Sequence, residues 1–297
     1  MNTIPSLFGP TRPAFLILTP ACVLLGIGTA ISATHSVNWP HVVLALLAAL
    51  CAHISVNAFN EYFDFKSGLD LKTQPTPFSG GSGTLPAHPE LARPALFMAW
   101  VSFTITGLIG MYFIYLRGFA LAPIGLLGLL ILFAYTPWLT RNPLLCLIAP
   151  GLGFGPLMVL STHLALAGFY TPTALLASLV PFFLVSNLLL LNQFPDVEAD
   201  RSIGRKHLPI VIGRRASSLV YGSFLLLAYL TIVAGVLTGL LPPVSLMGLL
   251  TAVLAIPAGI KAFRHAEEIE KLLPAMGWNV LINLVTPVLV SIGLFIR

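Results

Sequence analysis

Charge is what this sequence has least of. Of 297 residues only 8% are Asp, Glu, Lys or Arg, while 57% are hydrophobic. A soluble domain carries about 25% charged residues, roughly 74 in a chain of this length. A water-exposed exterior needs charge for solubility, so a soluble globule is excluded. Disorder is excluded for the opposite reason, because disordered chains are poor in apolar residues. Cysteine is scarce too. Cys22, Cys51 and Cys146 lie in apolar segments with no CxxC or Cys/His spacing; they read as small buried hydrophobes rather than a disulfide frame or a metal site. The net charge of +5 is then no nucleic-acid signal, and where the charges fall matters more. What remains is an all-α, polytopic membrane protein.

A bilayer core about 30 Å thick needs roughly 20 apolar residues per helix. Nine runs qualify, at about 14–33, 41–60, 95–116, 119–136, 143–168, 173–194, 216–239, 242–262 and 278–296. Together they predict one bundle and a single integral-membrane domain over 1–297. Only the Arg117-Gly118 step separates the third run from the fourth, which predicts a tight helical hairpin. The first run lacks the combination of a basic n-region followed by a small-residue cleavage site, so it reads as a retained helix.

The N-terminal side of these spans carries Arg12, Lys66, Lys72, Arg93, Arg141, Arg201, Arg205, Lys206, Arg214, Arg215, Lys261, Arg264 and Lys271, and the opposite side only Arg117 and Arg297. The positive-inside rule then puts the N-terminus in the cytoplasm and, with nine spans, the C-terminus outside. All 10 acidic residues fall on the same inner side. Short outer loops with little room for charge are the bland explanation. The alternative is a site that gathers carboxylates on the inner face.

Two polar stretches follow the second and sixth spans: Asn57 to Lys72, with Asn60, Asp64 and Asp70, and Asn192 to Lys206, with Asp196 and Asp200. Asn60 and Asp64 are i, i+4, and Asn192, Asp196 and Asp200 are i, i+4, i+8, so on continuous helices each set shares a face. Glu198 is about 200° from Asp196 around such a helix and points elsewhere. Like charges on one face repel, and Pro195 removes a backbone donor beside the second row. An arrangement that costs stability twice at the mouth of a membrane bundle invites a functional reading. A hard divalent cation is the economical one, because Mg²⁺ is commonly held by one or two carboxylates plus substrate phosphates. The alternative is a pair of solvated helix ends with ordinary loop acids.

Cations flank both stretches. Lys66, Lys72, Arg201, Arg205 and Lys206 could clamp a diphosphate, Arg with paired donors and Lys as a point charge; Arg201 and Lys206 stand closest to the second row. Basic inner loops are also what topology alone requires. The Gly/Ser-rich segment from Thr76 to Pro86 could turn backbone N–H groups toward an anion, close as a lid, or serve as a linker. No Gly-Lys-Ser/Thr follows it, so it is not a nucleotide phosphate loop.

These residues resemble the UbiA superfamily of intramembrane prenyltransferases, over nearly the whole chain. Asn60-Glu-Tyr-Phe-Asp64-Phe-Lys-Ser-Gly-Leu-Asp70 is similar to the first aspartate-rich motif, with its second acid at Asp70 where the general Asn-x3-Asp-x3-Asp form has position 68, here Gly68. That departure resembles the 1,4-dihydroxy-2-naphthoate prenyltransferases of the menaquinone pathway. Asn192, Asp196 and Asp200 fit the second motif, with Lys206 as its following basic residue. Tyr135 and Arg141 resemble the Tyr and basic residue after span four that help position diphosphate, and Arg12 an early Arg of this branch.

The resemblance implies a Mg²⁺-dependent enzyme in a bacterial or archaeal cytoplasmic membrane, with its site on the cytoplasmic side. Asp64, Asp196 and Asp200, aided by Asn60 and Asn192, would hold Mg²⁺ against a polyprenyl diphosphate, and Arg12, Lys66, Tyr135, Arg141, Arg201 and Lys206 would bind substrate. Asp70 is a candidate for the catalytic base. The implied acceptor is 1,4-dihydroxy-2-naphthoate; 4-hydroxybenzoate, or a lipid or porphyrin alcohol, is the alternative. Phe59, Tyr62, Phe63 and Tyr135 are candidates to stabilise an allylic cation, at about 0.5–2 kcal/mol each. A carrier using carboxylates for H⁺ or a cation is the rival from another class. Carriers place coupling sites near the midplane on interrupted helices, whereas every acid here is near one face.

Overall fold

The computed structural model describes residues 7–73 and 76–296. Arg297, assigned above to the outer side, lies outside the described residues. Among the described residues every regular element is a helix. Two 3-10 turns, Gly9–Thr11 and Pro13–Phe15, precede α1 (Leu18–Thr34) and α2 (Trp39–Ser67). After α3 (Thr84–Ala87) come α4 (Ala92–Arg117), α5 (Ala122–Ala134), α6 (Pro143–Leu152), a π segment (Gly153–Leu157) and α7 (Met158–Ala167). The second half holds α8 (Pro172–Asn192), α9 (Val197–Ser202), α10 (Leu208–Val211), α11 (Arg214–Leu237), a 3-10 stretch (Pro243–Thr251), α12 (Ala252–Arg264) and α13 (Ile269–Phe295).

Seven helices among the described residues are long and apolar enough to cross a membrane, and eight if Gly9–Phe15 and Leu18–Thr34, bent by 56°, form one broken span. Two of the nine expected runs therefore differ from straight, full-length helices. The first breaks ahead of Pro20, whose missing N–H and ring disfavour continuing the helix backwards through the preceding turn, and α1 starts at Leu18. The fourth gives Phe119–Ala134, about 24 Å long at 1.5 Å per residue against a core of about 30 Å. Pro137 disfavours helical geometry at Thr136 and so ends it early.

The ends that matter for the site are set locally. Asn38 caps α2 by accepting from His41 N at 3.2 Å, and the helix closes at Gly68, φ 74°. The whole of Asn60-Glu61-Tyr-Phe-Asp64 is therefore helical. The second acidic stretch is not continuous. α8 ends at Asn192, Gln193–Asp196 form a turn, and α9 resumes at Val197, as the missing N–H of Pro195 and its restriction of Phe194 require. Asn192, Asp196 and Asp200 thus converge through a turn and not along one helical face. Glu198 points away and pairs with Arg201 at 2.9 Å.

α2 packs along α4, α8 against α11, and α13 against α1, α12 and the 3-10 stretch. Gly151 on α6 and Gly155 in the π segment, a small-x3-small pair, let these two elements approach α8 backbone to backbone: a Cβ would stand 2.2 Å from Phe182 O at Gly151 and 2.5 Å from Ser178 O at Gly155. The three cysteines are free and buried. At the end of the bundle away from the acids, Arg117 donates to the carbonyls of Ala165 and Leu166, 2.8 Å each, satisfying the last turn of α7.

Candidate active site

His53, Asn57, Asn60 and Asp64 recur at helical spacing on α2, and all four line a cavity of about 840 Å³. Its walls are apolar, with Ala45, Ala49, Leu129, Leu132, Leu157 and Met158 among them, and its polar end gathers Arg12, Asn60, Asp64, Asp70, Asn192, Asp196, Asp200, Arg205 and His207. The two acidic stretches therefore face one space from opposite sides.

Each carboxylate is held differently. Asn60 Nδ2 donates to Asp64 Oδ2 at 3.0 Å and to Thr136 at 3.2 Å. Arg205 bridges the two stretches, pairing with Asp64 Oδ1 and, at 2.8 Å, with Asp200 Oδ1. His207 Nε2 lies 2.8 Å from the other oxygen of Asp200. Ser79 Oγ donates to Asp196 at 3.3 Å. Arg12, in left-handed geometry at φ 50°, donates through Nε to Glu61 at 2.7 Å and through Nη2 to Asn60 Oδ1 at 2.9 Å. Glu61 is 0% exposed, and it also accepts from the N–H and hydroxyl of Ser82, both at 2.7 Å.

The Gly/Ser-rich segment accordingly straps the cavity mouth. Ser82 ties it to α2 and Ser79 to the second stretch, while Phe78, Gly80 and Gly81 line the cavity. Gly81 sits at φ 75°, and a Cβ there would be 3.2 Å from Asp70 Oδ1. Both the backbone geometry and the close approach require glycine.

Burial sets the protonation of the mouth. It pushes the Asp70 carboxyl up to about 7, reinforced by Asp64 and Glu61, and the Asp196 carboxyl up to about 7, reinforced by Asp200. Burial acts the same way on Asp200, but the bond from His207 and the charge of Arg205 prevail and hold it below the usual carboxylate range. Desolvation works against the charge of Arg205, yet Asp64 and Asp200 keep it firmly protonated.

Not every expected residue reaches this space. Tyr135 does, beside Cys146. Arg141 lines a smaller adjoining cavity of about 270 Å³ with Asp64 and Arg205. Arg201 and Lys206 are exposed outside both, and Lys66 lies over the ring of Tyr62, 5.9 Å from its centre. Phe59 is buried against Trp100, Phe103 and Phe133, and Phe63 turns to the smaller cavity. Arg205 is a central polar group of the site, and Glu61 and His207 are central groups beyond the candidates named from sequence. Arg205 was one of five flanking cations; only a Glu next to Asn60, and a His two places after Arg205, could have signalled the others.

The donor set suits a hard cation. Among the described residues no three Asp, Glu, His or Cys side chains form a ready-made metal cluster. The oxygens Asp70 Oδ2 and Asn192 Oδ1, however, are buried without a partner, and both residues line the cavity. One or two protein carboxylates completed by substrate phosphate and water are what Mg²⁺ commonly takes.

Comparison with known proteins gives the same picture. The UbiA prenyltransferase family matches residues 19–281. The 1,4-dihydroxy-2-naphthoate octaprenyltransferase of Bacillus subtilis (strain 168) is 30% identical over 295 residues, 96% of this chain and 91% of that protein. Among solved structures, an apo UbiA homolog from Aeropyrum pernix K1 has a TM-score of 0.72 at 17% identity, covering 95% of this chain and 98% of its own. A UbiA homolog from Archaeoglobus fulgidus bound to DMAPP and Mg²⁺ has a TM-score of 0.65 at 15% identity, covering 96% and 98%. The two structural likenesses speak for the fold, and the match across residues 19–281 settles descent: this chain belongs to the UbiA prenyltransferase family.

Proposed function

We propose that this membrane enzyme transfers a polyprenyl group from its diphosphate to 1,4-dihydroxy-2-naphthoate, the prenylation step of menaquinone biosynthesis. One observation carries the reading: a single cavity of about 840 Å³ has acids and the half-buried Arg12 and Arg205 at one end and apolar walls along the rest. A diphosphate fits the polar end and an isoprenoid tail the apolar length. The Bacillus relative supports the naphthoate acceptor.

Asp64, Asp196 and Asp200, with Asn60 and Asn192, are the residues that would hold Mg²⁺. When bound, the metal would neutralise charge on the diphosphate and ease its departure. Arg205, Arg12 and Arg141 bind the same oxygens, Arg205 only after parting from the carboxylates it bridges. Arg201, Lys206 and Lys66 stand outside and act on encounter, attracting the dianionic head group. The allylic C–O bond breaks with its electrons passing to the diphosphate. The acceptor ring carbon then forms the new C–C bond, and the ring regains aromaticity by losing a proton or its carboxylate. Apolar walls and the strap over the mouth exclude water that would trap the cation. Tyr135 lines the same cavity close to Arg205 and Asp200.

We infer nine spans with the N-terminus and the polar mouth in the cytoplasm, α5 crossing with help from its flanking turns. The basic residues at the mouth support this orientation. Purified protein given Mg²⁺, geranyl or octaprenyl diphosphate and a panel of acceptors tests the reading. Prenylated naphthoate is expected; turnover of 4-hydroxybenzoate alone would move the enzyme to another branch.

A further inference from the structure

Deep in the same cavity one polar atom has no partner and no role in the head-group site. Asn283 on α13 is 1% exposed. It lines the cavity between the apolar Val280 and Leu284 and across from Leu188 and Leu189. Its Nδ2 donates to the backbone carbonyl of Asn279 at 2.8 Å, and Asn279 in turn donates to the carbonyl of Asn187 at 3.4 Å. A carbonyl only accepts, so this ladder fixes which end of the Asn283 amide is nitrogen. Oδ1 is left as a buried acceptor with no hydrogen bond. A buried polar atom without a partner costs about 1–3 kcal/mol, a cost that a bound donor would remove.

The depth is informative. Asn187 is five residues before Asn192, about 7.5 Å further into the bundle at 1.5 Å per residue. Asn279 lies beside Asn187, and Asn283 is one turn beyond it with its amide folded back. Oδ1 therefore sits roughly 10 Å from the polar mouth by the same helical rise. That distance holds one reacting allylic carbon and one aromatic ring system.

Resting on the reading of this chain as an aromatic prenyltransferase, we propose that Asn283 is the acceptor-binding residue, its Oδ1 accepting a hydrogen bond from a phenolic hydroxyl of the acceptor. The bond orients the ring carbon toward the allylic carbon at the mouth. As the ring gives electrons to that carbon, the hydroxyl becomes a stronger donor, so the bond is tighter in the transition state than in the ground state and favours turnover. A carboxylate has no proton to give and is turned away from this oxygen. Specificity then rests on an acceptor-only atom that rejects ligands lacking the hydroxyl.

The test compares wild type, Asn283→Leu and Asn283→Ala, purified in detergent with Mg²⁺ and geranyl diphosphate. The acceptors are 1,4-dihydroxy-2-naphthoate and its two monomethyl ethers. Wild type is expected to use one ether about tenfold less well than the diol in kcat/KM, the worth of one hydrogen bond. Both variants are expected to lose about tenfold on the diol and nothing further on that ether, with KM for geranyl diphosphate unchanged. Equal losses on diol and ethers, or a parallel rise in KM for geranyl diphosphate, would mark Asn283 as structural and overturn the proposal. Wild type using the diol and both ethers equally would overturn it without any variant. If wild type prenylates no phenolic acceptor at all, the functional reading fails as well, an outcome distinct from turnover without discrimination.

Discussion

The guanidinium of Arg205 holds the carboxylate of Asp64, 141 positions earlier in the chain. Through its other nitrogen it holds Asp200 at 2.8 Å, so one side chain ties the C-terminal end of α2 to α9. Two acidic rows that would repel are neutralised as one cluster, and the bridge lies where a diphosphate would compete for it.

Arg205→Ala should therefore damage both stability and function. It strands two buried carboxylates, and breaking a buried pair by removing one partner costs about 3–5 kcal/mol. Thermal unfolding in detergent should show a marked fall in Tm, and affinity for prenyl diphosphate should drop. Arg205→Lys should recover part of the stability but little of the affinity, because a point charge cannot bridge Asp64 and Asp200 as a fork does.

The strap over the mouth depends on Glu61. Glu61→Gln should weaken the pair with Arg12 and one of the two bonds to Ser82, so the Ser79–Ser82 segment should be cut faster in limited proteolysis. KM for prenyl diphosphate should rise. Gly81→Val should do the same more severely, being strained in left-handed geometry and crowded against Asp70. Unchanged proteolysis in both variants would show that the strap is held by other contacts.

Asp70 and Asp196, each pushed up to about 7, give the mouth a pH dependence with a definite sign. Protons bind these groups more tightly in the folded than in the unfolded chain, so metal-free stability should fall as pH rises from about 4 to about 7. Mg²⁺ takes the deprotonated form, so its apparent affinity should rise across the same window and level off above it. Tm measured at pH 5 and pH 7.5, with and without Mg²⁺, should show stabilisation by the metal only at the higher pH.

The acidic stretches were legible in the sequence because acids are rare in an apolar chain and stood in two clusters. Which neighbouring cation faces inward was not. Arg201, Arg205 and Lys206 look alike in sequence, and a turn at Gly204, φ 84°, directs Arg205 in and leaves Lys206 exposed. The pairing of Glu61 with Arg12 joins residues 49 positions apart, beyond the reach of helical spacing. The span count read from hydropathy was nine, whereas the structure gives one broken and one short helix, at prolines whose effect depends on where the helix starts and stops. Asn283 was hidden for another reason: an amide in an apolar run stands out only once its partners are known.

The central claim is that two acidic stretches form one site for metal and diphosphate. It is tested most directly by release of diphosphate from geranyl diphosphate in the presence of 1,4-dihydroxy-2-naphthoate and Mg²⁺, comparing wild type with Asp64→Asn and Asp196→Asn. The account predicts loss of turnover by a factor of 100 or more in each variant, about 2.7 kcal/mol of barrier, with membrane insertion and monodispersity retained. Wild-type turnover in either variant would contradict it.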